Sequence, residues 1–288
     1  MMKPKRQGHQ ILLEYPVHPR PRWGHGLPPH PPLQAVLERG RADYEKALSS
    51  ISDHRAVLHT VSHEPAHQRP TAPHWNNIWF SVLDAASLMG FLLSRRPKRY
   101  MEIGSGNSTK FARHSTQAGQ LPTTITSVDP QPRAEIDAIC DRVIRKPLEE
   151  CDVAIFDELD AGDILSFDGS HRVFTNSDVT VFFFEVLPRL KPGILVHIHD
   201  IFLPADYTPA WNKRFYSEQY LLGAMLLCGA PPFRVILPNY FVCTDEALSE
   251  RVLRIFQAEA GGRDIPFRYP NRAALPGVSF WLQTTPQS

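Results

Sequence analysis

YMEIGSGNSTKFAR, residues 100–113, is the stretch that decides the fold. It joins a short apolar strand to a helix through a Gly-Ser-Gly turn, and glycines in such a turn permit positive φ and let the backbone approach a ligand closely. A dinucleotide-binding fingerprint, GxGxxG, would continue with a third glycine, but Thr109 occupies that position. The turn therefore indicates a ligand-binding strand–turn–helix unit without identifying the ligand.

Downstream of this unit, short apolar runs alternate with helical patterns, which is typical of a parallel sheet with crossover helices. Strands are predicted at residues 99–104, 123–130, 141–147, 162–168, 193–200, 233–238 and 278–283. Helices are predicted at residues 108–117, 133–140, 148–159, 178–190, 212–229 and 245–259. This order predicts an α/β fold: a Rossmann-like, doubly wound, seven-stranded sheet in a three-layer αβα sandwich.

The N-terminal part of the chain has a different character. Residues 1–31 are rich in proline and histidine and are predicted to be a flexible tail. Residues 32–97 carry two helical patterns, at 33–52 and 75–94, and are predicted to form a helical cap. The cap would close over a pocket of the main domain, residues 98–288.

Composition and charge exclude several classes of protein. The formal net charge of the 288 residues is +1, which implies no overall attraction to nucleic acid or to an acidic membrane. No apolar run approaches the roughly 20 residues of a membrane-spanning helix, and the N-terminus lacks the apolar region of a signal peptide. The four cysteines show neither metal-site nor disulfide spacing. We expect a cytoplasmic protein that acts on a small molecule, binds neither nucleic acid nor membrane, and forms at most a homo-oligomer.

Acidic residues recur where the predicted strands end. Asp129, Asp168 and Asp200 lie at the ends of the second, fourth and fifth strands, and His171 and His199 stand near two of them. The carboxyl ends of parallel strands share one edge of the sheet, where ligands bind. A carboxylate beside a buried run is costly unless it faces solvent, a donor or a metal. Helix capping explains single acids, but a shared ligand site explains the whole set better.

The residues around the glycine turn favour one cofactor. Glu102, two residues before Gly104, would repel a pyrophosphate but would suit a cationic ligand that also offers amine donors. Asp129 is well placed to accept hydrogen bonds from both hydroxyls of a ribose. S-adenosylmethionine has a ribose, an amino group and a positive centre but no phosphate. A nicotinamide-dependent oxidoreductase and a non-catalytic cofactor- or metal-binding protein remain alternatives.

The series YMEIGSGNSTKFAR…ITSVDPQPRAEID…GDILSFDGSHR…LPRLKPGILVHIHDIFLP resembles the class I S-adenosylmethionine-dependent methyltransferases over residues 99–204. More narrowly, it is similar to the branch that includes metal-dependent sugar O-methyltransferases of macrolide biosynthesis. The resemblance implies O-methylation of a small hydroxylated acceptor, a sugar or a natural-product intermediate. It also implies assistance by a divalent cation, Mg²⁺ or Mn²⁺.

The same resemblance implies roles for individual residues. The cofactor would be held by Glu102, Gly104, Ser105, Gly106 and Asp129, and the metal by Asp168 and Asp200. Ser108 is a further candidate for the cofactor and His199 for the metal; the alternatives for His199 are a hydrogen-bonding or a packing role. Asp168 and His171 would be catalytic, with His171 as the general base of an Asp-x-x-His pattern. The relatives have an acid where this chain has His199. A site of one imidazole and two carboxylates favours manganese, iron or zinc more than an all-oxygen site does. The alternative for His171 is a hydrogen-bonded loop histidine with a packing role.

The predicted helix that follows the fifth strand is expected to border the site. Five residues there are candidates to contact a polar acceptor: Trp211, Arg214, Tyr216, Glu218 and Gln219. The alternative for all five is an ordinary solvated helix face.

Overall fold

The computed structural model describes residues 11–66, 68–229, 231–267 and 277–286. The first ten residues of the predicted tail lie outside them. Within them, one sheet contains seven strands: β1 (Arg99–Ile103), β2 (Thr124–Val128), β3 (Arg142–Ile144), β4 (Ile164–Phe167), β5 (Leu195–Ile198), β6 (Phe233–Pro238) and β7 (Phe280–Thr284). The order is β3-β2-β1-β4-β5-β7-β6, with β7 antiparallel to both of its neighbours and the first five strands parallel. The predicted Rossmann-like sheet is confirmed.

Helices flank this sheet. The α-helices of the described residues are α1 (Pro31–Glu38), α2 (Arg41–Ser52), α3 (Arg55–Leu58), α4 (Val82–Arg95), α5 (Asn107–Ala118), α6 (Asp178–Val181), α7 (Pro209–Asn212), α8 (Glu218–Leu227), α9 (Asn239–Thr244) and α10 (Glu246–Phe256). A π turn and a 3-10 turn extend α6 as far as Arg189. None of these helices is both long and apolar enough to cross a membrane.

Burial of the central strands explains their composition. All four residues of β4 and all four of β5 are buried. Parallel strands covered on both faces read as near-continuous apolar runs. The polar residues that follow these strands lie at the carboxyl edge, where the apolar cover ends.

The two predicted N-terminal helices differ from the observed ones. The first is divided at Gly40, where an added Cβ would lie 2.4 Å from the Tyr44 hydroxyl oxygen. The second begins only at Val82, because Asn77 Oδ1 accepts the backbone N–H groups of Trp79 and Phe80 at 3.2 and 2.8 Å. Such side chain–backbone bonds compete with helix formation.

Later predicted helices are also shorter than expected. The stretches 133–140 and 148–159 contain only 3-10 turns: Asp137–Ile139, Leu148–Glu150 and Val153–Glu158. Prolines that lack a backbone donor precede the first two of these turns. The predicted helix 212–229 is interrupted before Glu218, because the Ser217 N–H donates to the His171 carbonyl at 2.8 Å.

The N-terminal elements pack directly on the sheet and its helices. α2 contacts α4 and β6, and α4 lies along α5. Ahead of α1, the chain is tied to the loop after β5: the Arg22 N–H donates to Asp206 Oδ2 at 2.6 Å, and the Asp206 N–H donates to the Trp23 carbonyl at 3.1 Å. The proposed division of the chain at residue 98 stays a prediction.

Candidate active site at the carboxyl edge of the sheet

Two neighbouring cavities open at the carboxyl edge of the sheet. The first, about 450 Å³, is the β2 cavity, lined by Gly104, Asp129, Gln131, Leu148 and Asp178 among others. The second, about 650 Å³, is the α5 cavity, lined by His74, Asn77, Trp79, Phe80, Asn107 and Lys110 among others. Ser105, Arg133 and Asp168 belong to both linings. The two cavities therefore adjoin each other at the end of β1 and β4.

Gly104 makes this junction sterically possible. Its φ is +79°, in the left-handed region that favours glycine. A Cβ on Gly104 would lie 1.9 Å from the Asp168 carbonyl oxygen. Only a residue without a side chain lets the β1 and β4 ends approach so closely.

The six predicted cofactor residues are distributed unevenly. Gly104 and Asp129 line the β2 cavity, Gly106 and Ser108 line the α5 cavity, Ser105 lines both, and Glu102 lines neither. Five of the six thus reach the two cavities.

Glu102 lies beneath the glycine turn, and its predicted contact with the cofactor stays a prediction. It is fully buried and accepts hydrogen bonds from the Tyr100 hydroxyl at 2.9 Å, the Ser108 hydroxyl at 3.0 Å and the Thr109 hydroxyl. Burial raises the pKa of Glu102 to about 7, although the three hydroxyls oppose that shift. Its role in this structure is to hold the turn and the start of α5 together.

Asp129 connects the loops that follow β1 and β2. Its Oδ2 accepts the Ser105 N–H at 2.8 Å and its Oδ1 accepts the Gln131 N–H at 2.7 Å. The residue is half-buried and faces the β2 cavity. Since a carboxylate oxygen can accept more than one hydrogen bond, both oxygens retain capacity for ligand hydroxyls.

The residues after β4 and β5 converge on one cluster of two histidines and two aspartates. His199 Nδ1 lies 3.3 Å from Asp200 Oδ1 and 3.6 Å from Asp168 Oδ1. His171 Nε2 lies 3.4 Å from Asp168 Oδ1 and 3.3 Å from Asp200 Oδ2. His171 and Asp200 both adopt left-handed backbone conformations, with φ of +63° and +61°. Such conformations in non-glycine residues tend to concentrate at functional sites.

Part of this cluster fits a divalent cation. Ligand atoms of Asp168, His199 and Asp200 lie within 4.8 Å of one another. Both ring nitrogens of His199 are buried without a hydrogen bond. A cation bonded at about 2.0–2.2 Å holds adjacent ligands roughly 3 Å apart, so a modest closure of these side chains would satisfy it. The side chain of Asp168 is 33% exposed, so its carboxylate is accessible from the two cavities.

The charges of the cluster are strongly coupled. Burial alone would raise the pKa of Asp168, but His199 and His171 hold it well below its usual range. Burial raises the pKa of Asp200. Burial would lower the pKa of His171, yet the carboxylates of Glu218, Asp200 and Asp168 raise it to about 10. The carboxylates and the imidazoles of the cluster therefore stabilise each other's charged forms.

Glu218, predicted to contact the acceptor, instead lies behind His171. Its Oε1 is 2.6 Å from His171 Nδ1, and its side chain is fully buried. Burial raises the pKa of Glu218 to about 7, with His171 opposing the shift. The Tyr216 ring packs on the other side of His171, 4.5 Å between centroids. Sequence reasoning missed this pairing; the acid at the start of a helix was its only local signal.

The other predicted acceptor contacts form a wall behind the cluster. Gln219 is buried, accepts the Phe202 N–H at 2.9 Å and donates to the Ala205 carbonyl at 3.3 Å. Its contact with the acceptor stays a prediction. The Arg214 guanidinium lies over the rings of Trp211 and Tyr216, at 5.2 and 5.7 Å. Neither cavity is lined by any of these residues.

The loop before α4 supplies residues that sequence reasoning missed. Asn77, Trp79 and Phe80 line the α5 cavity, and the Arg133 guanidinium lies 4.6 Å from the Trp79 ring centroid. Asn107 at the start of α5 donates to Asn77 Oδ1 at 3.2 Å. The apolar pattern of this segment predicts the beginning of a helix instead.

Comparison with known families decides the class of the domain. Residues 101–201 match a family model described as a methyltransferase domain. These residues therefore form a methyltransferase domain. The match supports the methyltransferase prediction over the nicotinamide-dependent oxidoreductase, and S-adenosylmethionine stays the predicted cofactor. The matched residues include the glycine turn, Asp129 and the two aspartates of the cluster.

Solved structures provide more distant matches to the methyltransferase domain and its flanks. The S-adenosylhomocysteine-bound methyltransferase PaMTH1 of Podospora anserina is 16% identical, with a TM-score of 0.38, over 70% of this chain and 90% of that one. The O-methyltransferase TomG of Streptomyces achromogenes is 13% identical, with a TM-score of 0.39, over 83% and 90%. An O-methyltransferase of Bacillus cereus is 13% identical, with a TM-score of 0.37, over 84% and 91%. No curated protein sequence matches the chain.

Proposed function

We propose that the protein transfers the methyl group of S-adenosylmethionine to a hydroxyl oxygen of a small hydroxylated molecule. A sugar or a natural-product intermediate is the acceptor class we favour. We also propose that Asp168, His199 and Asp200 hold a divalent cation and that His171 is the general base. This chemistry is proposed to take place in the cytoplasm, without a nucleic-acid or membrane partner.

One observation carries this proposal. Asp168 borders both cavities and also belongs to the cluster with His171, His199 and Asp200. A cofactor bound over the glycine turn and an acceptor bound near the cluster would thus meet at one residue. Holding two reactants in line can supply up to ~7–11 kcal/mol of barrier lowering in the best cases.

The residues divide the reaction between binding and proton transfer. The oxygen–carbon bond forms as the carbon–sulfur bond breaks, which leaves S-adenosylhomocysteine. His171 Nε2 accepts the hydroxyl proton of the acceptor, and Glu218 holds the opposite nitrogen, Nδ1, at 2.6 Å. A bound divalent cation would neutralise the two aspartates and lower the pKa values of the acceptor hydroxyl and of His171. The exposed Trp79 and Ile78 offer an apolar rim to a ring-shaped acceptor.

A turnover assay tests the proposed reaction. The protein would be incubated with S-[methyl-¹⁴C]adenosylmethionine and a panel of hydroxylated small molecules, with Mn²⁺, with Mg²⁺ or with EDTA. We expect label in an O-methyl product and little turnover in EDTA. Label found exclusively on nitrogen or carbon would contradict the proposed O-methylation. Full turnover in EDTA would contradict the proposed need for a divalent cation.

Asp129→Ala is expected to weaken cofactor binding. The change removes both carboxylate oxygens, which accept the N–H groups of Ser105 and Gln131. The same oxygens are the proposed acceptors for the ribose hydroxyls. The expected loss of affinity for S-adenosylhomocysteine is about 10–100-fold, the equivalent of one or two hydrogen bonds to a charged group. Calorimetric titration measures it. Unchanged affinity in a folded variant would remove the ribose role of Asp129.

Glu218→Gln is expected to slow turnover while leaving cofactor affinity unchanged. An amide can either donate to or accept from His171 Nδ1, so the imidazole is no longer held in a single tautomer. We expect kcat to fall by about 10–10³-fold. This decrease is smaller than the one that follows replacement of the orienting aspartate of a catalytic triad. Steady-state kinetics beside a cofactor titration separates the two effects. A variant as active as the parent would show that Glu218 is a packing residue.

A further inference from the structure

Two histidines stand next to each other at the end of β5, and their surroundings differ. His197 has both ring nitrogens on hydroxyls, Nδ1 on Ser166 Oγ and Nε2 on Ser279 Oγ, each at 2.7 Å. His199, whose ring centroid lies 5.8 Å away, has neither nitrogen hydrogen-bonded although it is buried. Buried polar atoms are rarely left unpaired without a functional reason. The unpaired histidine is the one in the cluster.

A carboxylate from another part of the chain approaches His199 from behind. Asp84, in the first turn of α4, is fully buried, and its Oδ2 lies 3.4 Å from His199 Nε2. The opposite nitrogen, Nδ1, faces Asp168 and Asp200 at 3.6 and 3.3 Å. His199 thus lies between Asp84 on one side and the proposed cation ligands on the other.

Asp84 is surrounded by hydrogen-bond donors. Its Oδ1 accepts from Asn239 Nδ2 at 2.8 Å and from the Ser279 N–H at 2.7 Å, and its Oδ2 accepts from the Ser81 hydroxyl at 2.7 Å. With donors on both of its oxygens, Asp84 acts as a hydrogen-bond acceptor, so it favours a proton on the His199 nitrogen that faces it.

This arrangement determines what the other nitrogen presents. A neutral imidazole carries one N–H. If Nε2 carries it toward Asp84, Nδ1 presents a lone pair to two carboxylates, which is favourable only with a cation between them. Histidines that bind metals commonly donate their second nitrogen to a carboxylate, which fixes the tautomer and raises ligand basicity.

We propose that Asp84 is a positioning residue that holds His199 as the Nε2-protonated tautomer, with Nδ1 directed at the cation site of Asp168 and Asp200. The proposal rests on the cation site of the proposed function. It assigns to α4 a part in the cluster, although α4 lies in the segment predicted as a cap. Asp84 acts through His199 and makes no contact with acceptor or cofactor.

A double-mutant cycle on Mn²⁺ binding tests the proposal. The full chain and its Asp84→Asn, His199→Asn and doubly substituted variants would be titrated with Mn²⁺ alone, with binding followed by electron paramagnetic resonance. We expect Asp84→Asn to weaken Mn²⁺ binding by about 10–100-fold and to have no further effect in the His199→Asn background. Equal losses in both backgrounds, or no loss in either, would overturn the positioning role.

Controls separate this role from a structural one and from failure of the cation site itself. Ser87→Ala alters the same buried network, where Ser87 accepts from Asn239 Nδ2 at 3.2 Å and from Trp281 Nε1 at 3.0 Å, without touching His199. It should leave Mn²⁺ affinity unchanged; a loss equal to that of Asp84→Asn would count against positioning. If the unsubstituted chain binds no Mn²⁺, the cation site fails, and the positioning role with it.

The tautomer of His199 can also be measured by NMR without changing Asp84, which keeps the proposal testable if Asp84→Asn does not fold. In the ¹⁵N-histidine-labelled chain loaded with Zn²⁺, long-range ¹H–¹⁵N correlations report which ring nitrogen carries the proton. The His199 signal, identified by its loss in His199→Asn, should show the proton on Nε2. A proton on Nδ1 of His199 would contradict the proposal.

Discussion

His171→Gln is expected to lower kcat for methyl transfer by about 10²–10⁴-fold, the usual contribution of a positioned general base, and to leave the affinity for S-adenosylhomocysteine unchanged. The side chain lies with Nε2 between Asp168 and Asp200 and with Nδ1 on Glu218. Glutamine fills much of the same space but accepts no proton near neutral pH. Single-turnover kinetics with saturating cofactor measures the chemical step directly.

A second histidine substitution provides the control for this prediction. His114 lies on α5, where its Nε2 contacts the Thr60 hydroxyl at 2.9 Å, and it lines neither cavity. His114→Gln should retain the activity of the parent. If His171→Gln also retains it while binding cofactor normally, His171 is a packing residue and the base lies elsewhere.

Gly104→Ala is expected to be the most damaging change in the cofactor loop. A Cβ there would lie 1.9 Å from the Asp168 carbonyl oxygen, and the φ of +79° is unfavourable for alanine. The left-handed conformation and the forced displacement together should destabilise the fold by about 2–4 kcal/mol. Because β4 must move away, Asp168 would also shift, so both cofactor affinity and turnover should fall. Urea denaturation, analysed at constant m-value, measures the loss of stability.

Gly106→Ala is the matched control, two residues along the same turn. Nothing lies within 4 Å of a Cβ built on Gly106. Its cost in the free energy of unfolding should stay below about 1 kcal/mol. Equal costs at the two positions would show that glycine flexibility in the unfolded chain, rather than the contact with Asp168, dominates.

The sequence predicts the sheet and its functional edge because both depend on local signals. Alternation of apolar runs and helical stretches predicts the seven strands, and the observed order brings the carboxyl ends of the parallel strands to one edge. Asp168, His199 and Asp200 each follow a strand directly, so their approach follows from the topology. Gly104, between β1 and α5, marks the place where the backbone packs against the residue that follows β4, Asp168.

The remaining features depend on contacts between distant parts of the chain. No local pattern shows that Glu102 is surrounded by three hydroxyls, that Glu218 faces His171, or that Asp84 faces His199. An acid near the start of a helix looks the same whether it is solvated or buried against a histidine. Similarly, the loop at Asn77 forms because one side-chain oxygen captures two backbone donors that a helix would have used differently.

We expect S-adenosylmethionine and a divalent cation to lie side by side at one edge of the sheet, joined by Asp168. The direct test is the ¹³C signal of S-[methyl-¹³C]adenosylmethionine bound to the protein, recorded with Mn²⁺ and with diamagnetic Mg²⁺. Bound Mn²⁺ should broaden the methyl signal strongly, Mg²⁺ should not, and Asp168→Asn should abolish the effect. A sharp methyl signal in a complex that holds both cofactor and Mn²⁺ would contradict this expectation.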